Sequence, residues 1–241
     1  MPKRNRGGAI TLKSPQEESV APLDTAARLT LEDVATIPKP GSMGLGLVRF
    51  SPDDRYVTYL GSAEAASLTR QLFAYDRETG ETKQVIGSAD SEESFSAEEK
   101  LRRERARIMS VGVTEYSWAK KANRLLVPKD GALYVQDGVG EGAGATLRRL
   151  FDPADAKWAE VGSGAPLDAK LSDDGAQVFF VWDREVCACD VAESNEDDAC
   201  KPRRLTSGAR GDAGITNGIA DYCAQEEMDR YTGYWPSPSG S

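Results

Sequence analysis

Leu171-Ser172-Asp173-Asp174-Gly175, then Gln177-Val178-Phe179-Phe180-Val181-Trp182, then Glu185-Val186-Cys187-Ala188-Cys189-Asp190 and Arg203-Arg204-Leu205-Thr206, is the stretch that decides the fold. A polar turn leads into one short apolar strand, a tight turn into a second, and a loop into a third. The same phrase occurs earlier, as Phe50-Ser51-Pro52-Asp53-Asp54-Arg55 running into Tyr56–Leu60, then Leu72–Asp76, the turn Arg77-Glu78-Thr79-Gly80, and Thr82–Ile86. Between these two lies another copy: Tyr116–Ala119, Arg124–Pro128, Ala132–Asp137 and Leu147–Leu150. The strand-ending aspartates Asp76, Asp137 and Asp190 fall 61 and 53 residues apart. A sheet of three or four short strands cannot cover its own apolar face, so such units pack against their neighbours as the blades of a β-propeller. A β-sandwich with strands of this length is the alternative that the repeated phrase disfavours. The expected fold is all-β, a partial β-propeller of about three blades. The start of another, Tyr234–Gly240, is read as cut off by the end of the chain.

Residues 1–28 lack any sustained period and read as a flexible leader, which leaves 29–241 as the propeller region. One short helix is expected to be inserted between the first and second copies. Ser96-Ala97-Glu98-Glu99 forms a capping box ahead of Lys100–Ile108, with Glu98–Arg102 and Glu99–Arg103 as favourable i,i+4 pairs.

Lys and Arg number 30 against 39 Asp and Glu, a net charge of −9, which argues against a general nucleic-acid surface. The 241 residues contain no histidine, so neither a Ser-His-Asp unit nor a His-ligated zinc site can be complete here. No metal and no cofactor is expected. No apolar run reaches the ~20 residues of a membrane helix, and residues 7–22 do not read as a secretory signal, so a cytoplasmic location is expected. The cysteines are expected to be free thiols in half-buried positions. Cys187 and Cys189 are read as pointing to opposite faces of their strand and unable to bridge; Cys200 can approach either of them across a hairpin.

The least ordinary stretch is Asn217-Gly218-Ile219-Ala220-Asp221-Tyr222-Cys223-Ala224-Gln225-Glu226-Glu227-Met228-Asp229-Arg230-Tyr231-Thr232-Gly233-Tyr234-Trp235, read as an interblade crossing with a short helical turn. Neighbouring carboxylates repel, which raises at least one pKa unless a cation sits between them. A primary ammonium, with three donors and one positive charge, suits such a pair.

This stretch resembles the double-glutamate motif of the dipeptidyl peptidase IV family of serine exopeptidases. The helix Glu98–Ile108, the segment Leu29-Thr30-Leu31-Glu32-Asp33 and the Phe50-Ser51-Pro52-Asp53 blade opening are also similar to that family. The resemblance runs over 29–241 in the family's order. It implies an N-terminal propeller that caps a C-terminal α/β-hydrolase domain, with Glu226 and Glu227 binding the free N-terminal ammonium of a peptide. It also implies an arginine that helps hold the peptide carbonyl and the glutamates. Arg107 is the best match and Arg105 the runner-up, because Arg105 lies nearer the Leu101/Ile108 face. The chain departs from the pattern at Pro236, where the family usually has a second tryptophan followed by Ser-Pro-Asp-Gly. The hydrolase elbow, acid and histidine are absent, so no residue is assigned as catalytic and no peptidase activity is expected of this chain alone. The competing expectation is a non-catalytic binding or scaffold protein built on an open propeller fragment, its unpaired blade edge inviting β-augmentation.

Overall fold

The computed structural model describes residues 30–35, 44–63, 67–87, 104, 110–139, 146–191, 200–212 and 214–237. The predicted leader and the predicted helix over 98–108 lie outside them, apart from Glu104, which is helical and exposed. Residues 1–36 form one unit, in which helix α1 spans Leu31–Ala35; residues 37–241 form a second.

The second unit is a series of antiparallel meanders. Strands β1 (Gly46–Phe50), β2 (Tyr56–Gly61), β3 (Thr69–Asp76) and β4 (Thr82–Ile86) make the first sheet in sequence order. A two-residue strand, β5 (Val111–Gly112), joins β3 in parallel, a pairing that the repeat does not announce. β6 (Ser117–Trp118), β7 (Arg124–Lys129), β8 (Ala132–Asp137) and β9 (Arg148–Phe151) make the second. β10 (Leu167–Leu171), β11 (Gln177–Trp182), β12 (Glu185–Asp190) and β13 (Arg203–Arg204) make the third.

Burial explains why the strands differ in pattern. On β7, Leu125 and Val127 join the core shared with the first sheet (Tyr56, Leu60, Leu72, Ala74), whereas Leu126 faces the core shared with the third (Val178, Phe180, Trp182). A sheet covered on both faces needs an unbroken apolar run, and Leu125-Leu126-Val127 is one. The first sheet is covered on one face, and β2 alternates accordingly: Tyr56, Thr58 and Leu60 are buried, Val57 and Tyr59 only partly. Among the described residues nothing covers its outer face, where Phe50 is 59% exposed.

The turns register the blades against one another. Ser51 Oγ donates to Asp53 Oδ1 at 2.5 Å and accepts from Tyr56 N at 2.9 Å. In the third sheet, Ser172 Oγ donates to Asp174 Oδ1 at 2.6 Å and accepts from Gln177 N at 2.9 Å. Each turn touches the next copy: Asn123 Nδ2 donates to Asp53 at 2.6 Å, and Lys121 N donates to the Asp173 carbonyl at 2.7 Å. Equivalent turns that meet in series, and sheets stacked face to face in chain order, make the unit an all-β, partial β-propeller of three blades. Of the fourth opening, Tyr234–Ser237 are described and form no strand; the isolated bridge Ile219–Thr232 lies just ahead of it.

The strand-ending aspartates lock each hairpin. Asp76 pairs with Arg55 at 3.0 Å, Asp137 with Arg124 at 2.6 Å, and Asp190 accepts from Gln177 Nε2 at 2.7 Å. Burial acts to raise the Asp137 pKa, but bonds from Arg124 and Arg148 outweigh it and hold the carboxyl below its usual range. A depressed carboxylate stabilises the fold above its unfolded pKa of about 3.9 and loses that contribution as pH falls through the folded value. The urea midpoint is therefore expected to drop between pH 7 and pH 3, and to drop less in Asp137→Asn, measured by fluorescence.

The cysteine expectations need correcting. Cys189 and Cys200 form a disulfide, with Cα atoms 5.6 Å apart, while Cys187 is a buried free thiol and Cys223 an exposed one. Residues two apart on a strand share a face, so Cys187 and Cys189 pack into the same core instead of pointing opposite ways. Cys187 lies opposite Arg204 on β13, which leaves Cys189 as the partner within reach of Cys200. Burial pushes the Cys187 thiol up to about 11 and keeps it protonated. Closing the 11-residue span contributes about 2–3 kcal/mol in the chain-entropy picture.

Candidate functional site

The chain leaves the third sheet through residues 205–221 and returns through 228–237, with a six-residue helix, α2 (Tyr222–Glu227), at the apex. Asp221 caps α2, its Oδ1 accepting from Ala224 N at 3.0 Å. Gln225 is buried and donates from Nε2 to the Ala220 carbonyl at 2.7 Å. Beyond the helix, Asp229 turns the chain with φ 49°, and Arg230 N closes the turn on the Ala224 carbonyl at 2.9 Å.

Both stems are fixed to the third blade. Gly218, at φ 76°, lies so close to β11 and β12 that a Cβ there would meet Val186 at 2.5 Å and Val181 at 2.8 Å. On the return, Tyr234 OH donates to the Asp168 carbonyl at 2.5 Å, and Lys170 Nζ donates to the Tyr234 carbonyl at 2.9 Å. Lys170 also pairs with Asp168 at 2.7 Å and stands 3.8 Å from the centre of the Tyr234 ring. Burial pushes the Tyr234 phenol far above its ordinary range, so it stays protonated and donating.

Glu226 and Glu227 occupy the last two positions of α2, and both are exposed. The last turn of the helix carries no basic residue. Carboxylates at the negative end of a helix are unfavourable by roughly 0.3–1 kcal/mol each. Arg230 is engaged elsewhere: NH1 donates to the Thr232 carbonyl at 2.9 Å, and NH2 lies 3.9 Å from Asp221. Arg107 and Arg105, the arginines that the resemblance brings to the doublet, lie outside the described residues.

A separate cleft of about 430 Å³ opens where the first strands of the blades converge, lined by Arg49 of β1, Trp118 of β6, Lys170 of β10 and Thr232 of the return stem. Glu226 and Glu227 are not part of its lining. Sequence reasoning does not single out Asp168, Lys170 and Glu185, which hold the stems. The available signal is Glu185 itself, an acid placed directly before the apolar run Val186-Cys187-Ala188-Cys189.

Among the described residues, no cluster of His, Cys, Asp and Glu could hold a metal ion, and no helix is long and apolar enough to cross a membrane.

Residues 147–241, which include α2 and both stems, match the family model of the dipeptidyl peptidase IV (DPP IV) N-terminal region. Over this stretch the chain is similar to that family. Dipeptidyl peptidase 8 of Homo sapiens is 29% identical over 155 residues, covering 60% of this chain and 16% of that protein. The chain thus spans a small part of the curated relative that it matches. Among solved structures, TolB from Acinetobacter baumannii is similar at a TM-score of 0.40 and 14% identity, over 68% of this chain and 33% of that one. The match takes in the last strand of the second blade, the whole of the third and the crossing that follows it.

Proposed function

We propose that this chain supplies the amine-recognising propeller portion of a serine-type dipeptidyl peptidase acting in proteolysis. Glu226 and Glu227 receive the free N-terminal ammonium of a peptide, and Arg107, or Arg105 in its place, holds the first carbonyl. Two findings support this reading: the family model matches the stretch that holds the doublet, and both carboxylates are exposed at the end of α2. An ammonium placed there offsets the repulsion between the acids and the negative end of the helix.

The chemistry is positional. An extended dipeptide spans about 7 Å, so fixing the amine sets which peptide bond reaches a nucleophile. The chain has no histidine, so nucleophile and base belong to the α/β-hydrolase domain that the family pairs with this propeller. The cytoplasmic location expected from the sequence is not part of this proposal, because a disulfide such as Cys189–Cys200 persists chiefly in oxidising compartments.

The test is calorimetric binding of a short peptide with a free amine against its N-acetylated twin. Charge-assisted bonds of about 1.5–3 kcal/mol each predict a free-amine preference of tenfold or more. That preference should vanish in the Glu226→Gln, Glu227→Gln double variant. Equal binding of the two peptides by the wild type would sink the reading. The exposed Val48, Phe50 and Tyr75 favour a second reading, a non-catalytic scaffold that self-associates through the first sheet. A stable, monodisperse oligomer in sedimentation would support it.

A further inference from the structure

We propose that Glu185 is the positioning residue of the acidic doublet, a role that rests on the amine-recognition reading above. Glu185 opens β12 and is fully buried. Its carboxylate accepts from Thr206 Oγ1 at 2.5 Å, from Ala209 N at 2.7 Å and from Asn217 Nδ2 at 2.8 Å. A buried carboxylate survives only when its oxygens are bonded in this way. Burial acts to raise the Glu185 pKa, but these three bonds outweigh it, and the group stays ionised.

All three donors belong to the connection that leads from the third blade to α2. One side chain therefore gathers residues 206, 209 and 217 to the mouth of a single hairpin. The turn of that hairpin, Asp183-Arg184, sits at positive φ on both residues and adds to the grip. Arg184 NH1 donates to the Asp212 carbonyl at 3.0 Å, Asn217 N donates to the Arg184 carbonyl at 2.9 Å, and Asp183 pairs with Arg204 at 3.1 Å. From Asn217, tightly packed Gly218 and bridged Ile219 lead directly to the Asp221 cap. A shift at Asn217 has little slack to absorb it before it reaches Glu226.

The geometry assigns Glu185 more than a share in general stability. A well-packed apolar residue would stabilise such a site as well or better, whereas a carboxylate with three directional partners fixes one path for the chain. Glu185→Gln keeps the shape but puts an amide donor against donors, so the connection should loosen while the cores stay packed.

The test is hydrogen exchange on the full chain, paired with the peptide comparison above. Glu185→Gln is expected to speed exchange of the amides over 222–230 by tenfold or more, leaving Leu126, Val135 and Phe180 unchanged. The ratio of free-amine to acetylated-peptide affinity should fall at least fivefold. That ratio does not respond to a mere loss of folded protein, so it separates positioning from general stability. Unchanged exchange over 222–230, a uniform rise across all three sheets, or an unchanged ratio would each overturn the proposal. A wild type that lacks the amine preference overturns the earlier reading instead, and exchange reports on Glu185 without any peptide present.

Discussion

Trp182→Ala is expected to lose about 4 kcal/mol of stability, because it empties the junction of the second and third blades. Trp182 is 1% exposed and meets Phe151 edge-on at 5.0 Å and Trp158 at 6.1 Å. Its indole N–H donates to the Gly164 carbonyl at 3.1 Å, so truncation also removes a part-buried bond. Gly162 lies so close that a Cβ there would stand 2.7 Å from the indole, which shows how completely the ring fills its space. Neighbours locked in a shared sheet interface cannot collapse into the gap, which puts the cost near the upper end for such changes. Urea unfolding followed by circular dichroism measures it. Trp182→Phe should recover about half of the loss.

Gly233→Ala is expected to damage the site while sparing the cores. A Cβ there would stand 2.5 Å from the Gly218 carbonyl carbon and oxygen and 2.6 Å from the Ile219 carbonyl carbon. These are backbone atoms, and they cannot swing aside as a side chain would. The stems must separate, breaking the Ile219–Thr232 bridge and releasing α2 from its place, at a cost of about 1–3 kcal/mol. Loss of the free-amine preference, with the near-ultraviolet spectrum of Trp182 unchanged, is the expected outcome. Gly211→Ala serves as control, since nothing lies within 4 Å of its would-be Cβ.

What the sequence makes legible is local. Ser51-Pro52-Asp53-Asp54 and Ser172-Asp173-Asp174-Gly175 specify their turns through hydroxyl and carboxylate bonds within a few residues, so the repeat can be found without tertiary information. The strand-ending aspartates likewise close bonds to a hairpin partner. The short helix at Tyr222–Glu227 is legible from Asp221 and the small and polar residues after it.

What escapes depends on distant partners. β5 pairs with β3 across some forty intervening residues, and two residues carry no pattern to announce that. The role of Glu185 lies in donors 21, 24 and 32 positions away. The disulfide escapes for a different reason: assigning Cys187 and Cys189 to opposite faces inverts the parity of a strand, in which residues two apart share a face. The exposure of Glu226 and Glu227 cannot be read from composition, which says that they are adjacent but not what stands before them.

The covalent tie between Cys189 and Cys200 has a consequence for anyone handling this protein. A protease that cuts the backbone anywhere from 190 to 199 produces two fragments that still travel as one molecule. Only after reductant is added do they part, so damage at that position passes unseen on a non-reducing gel.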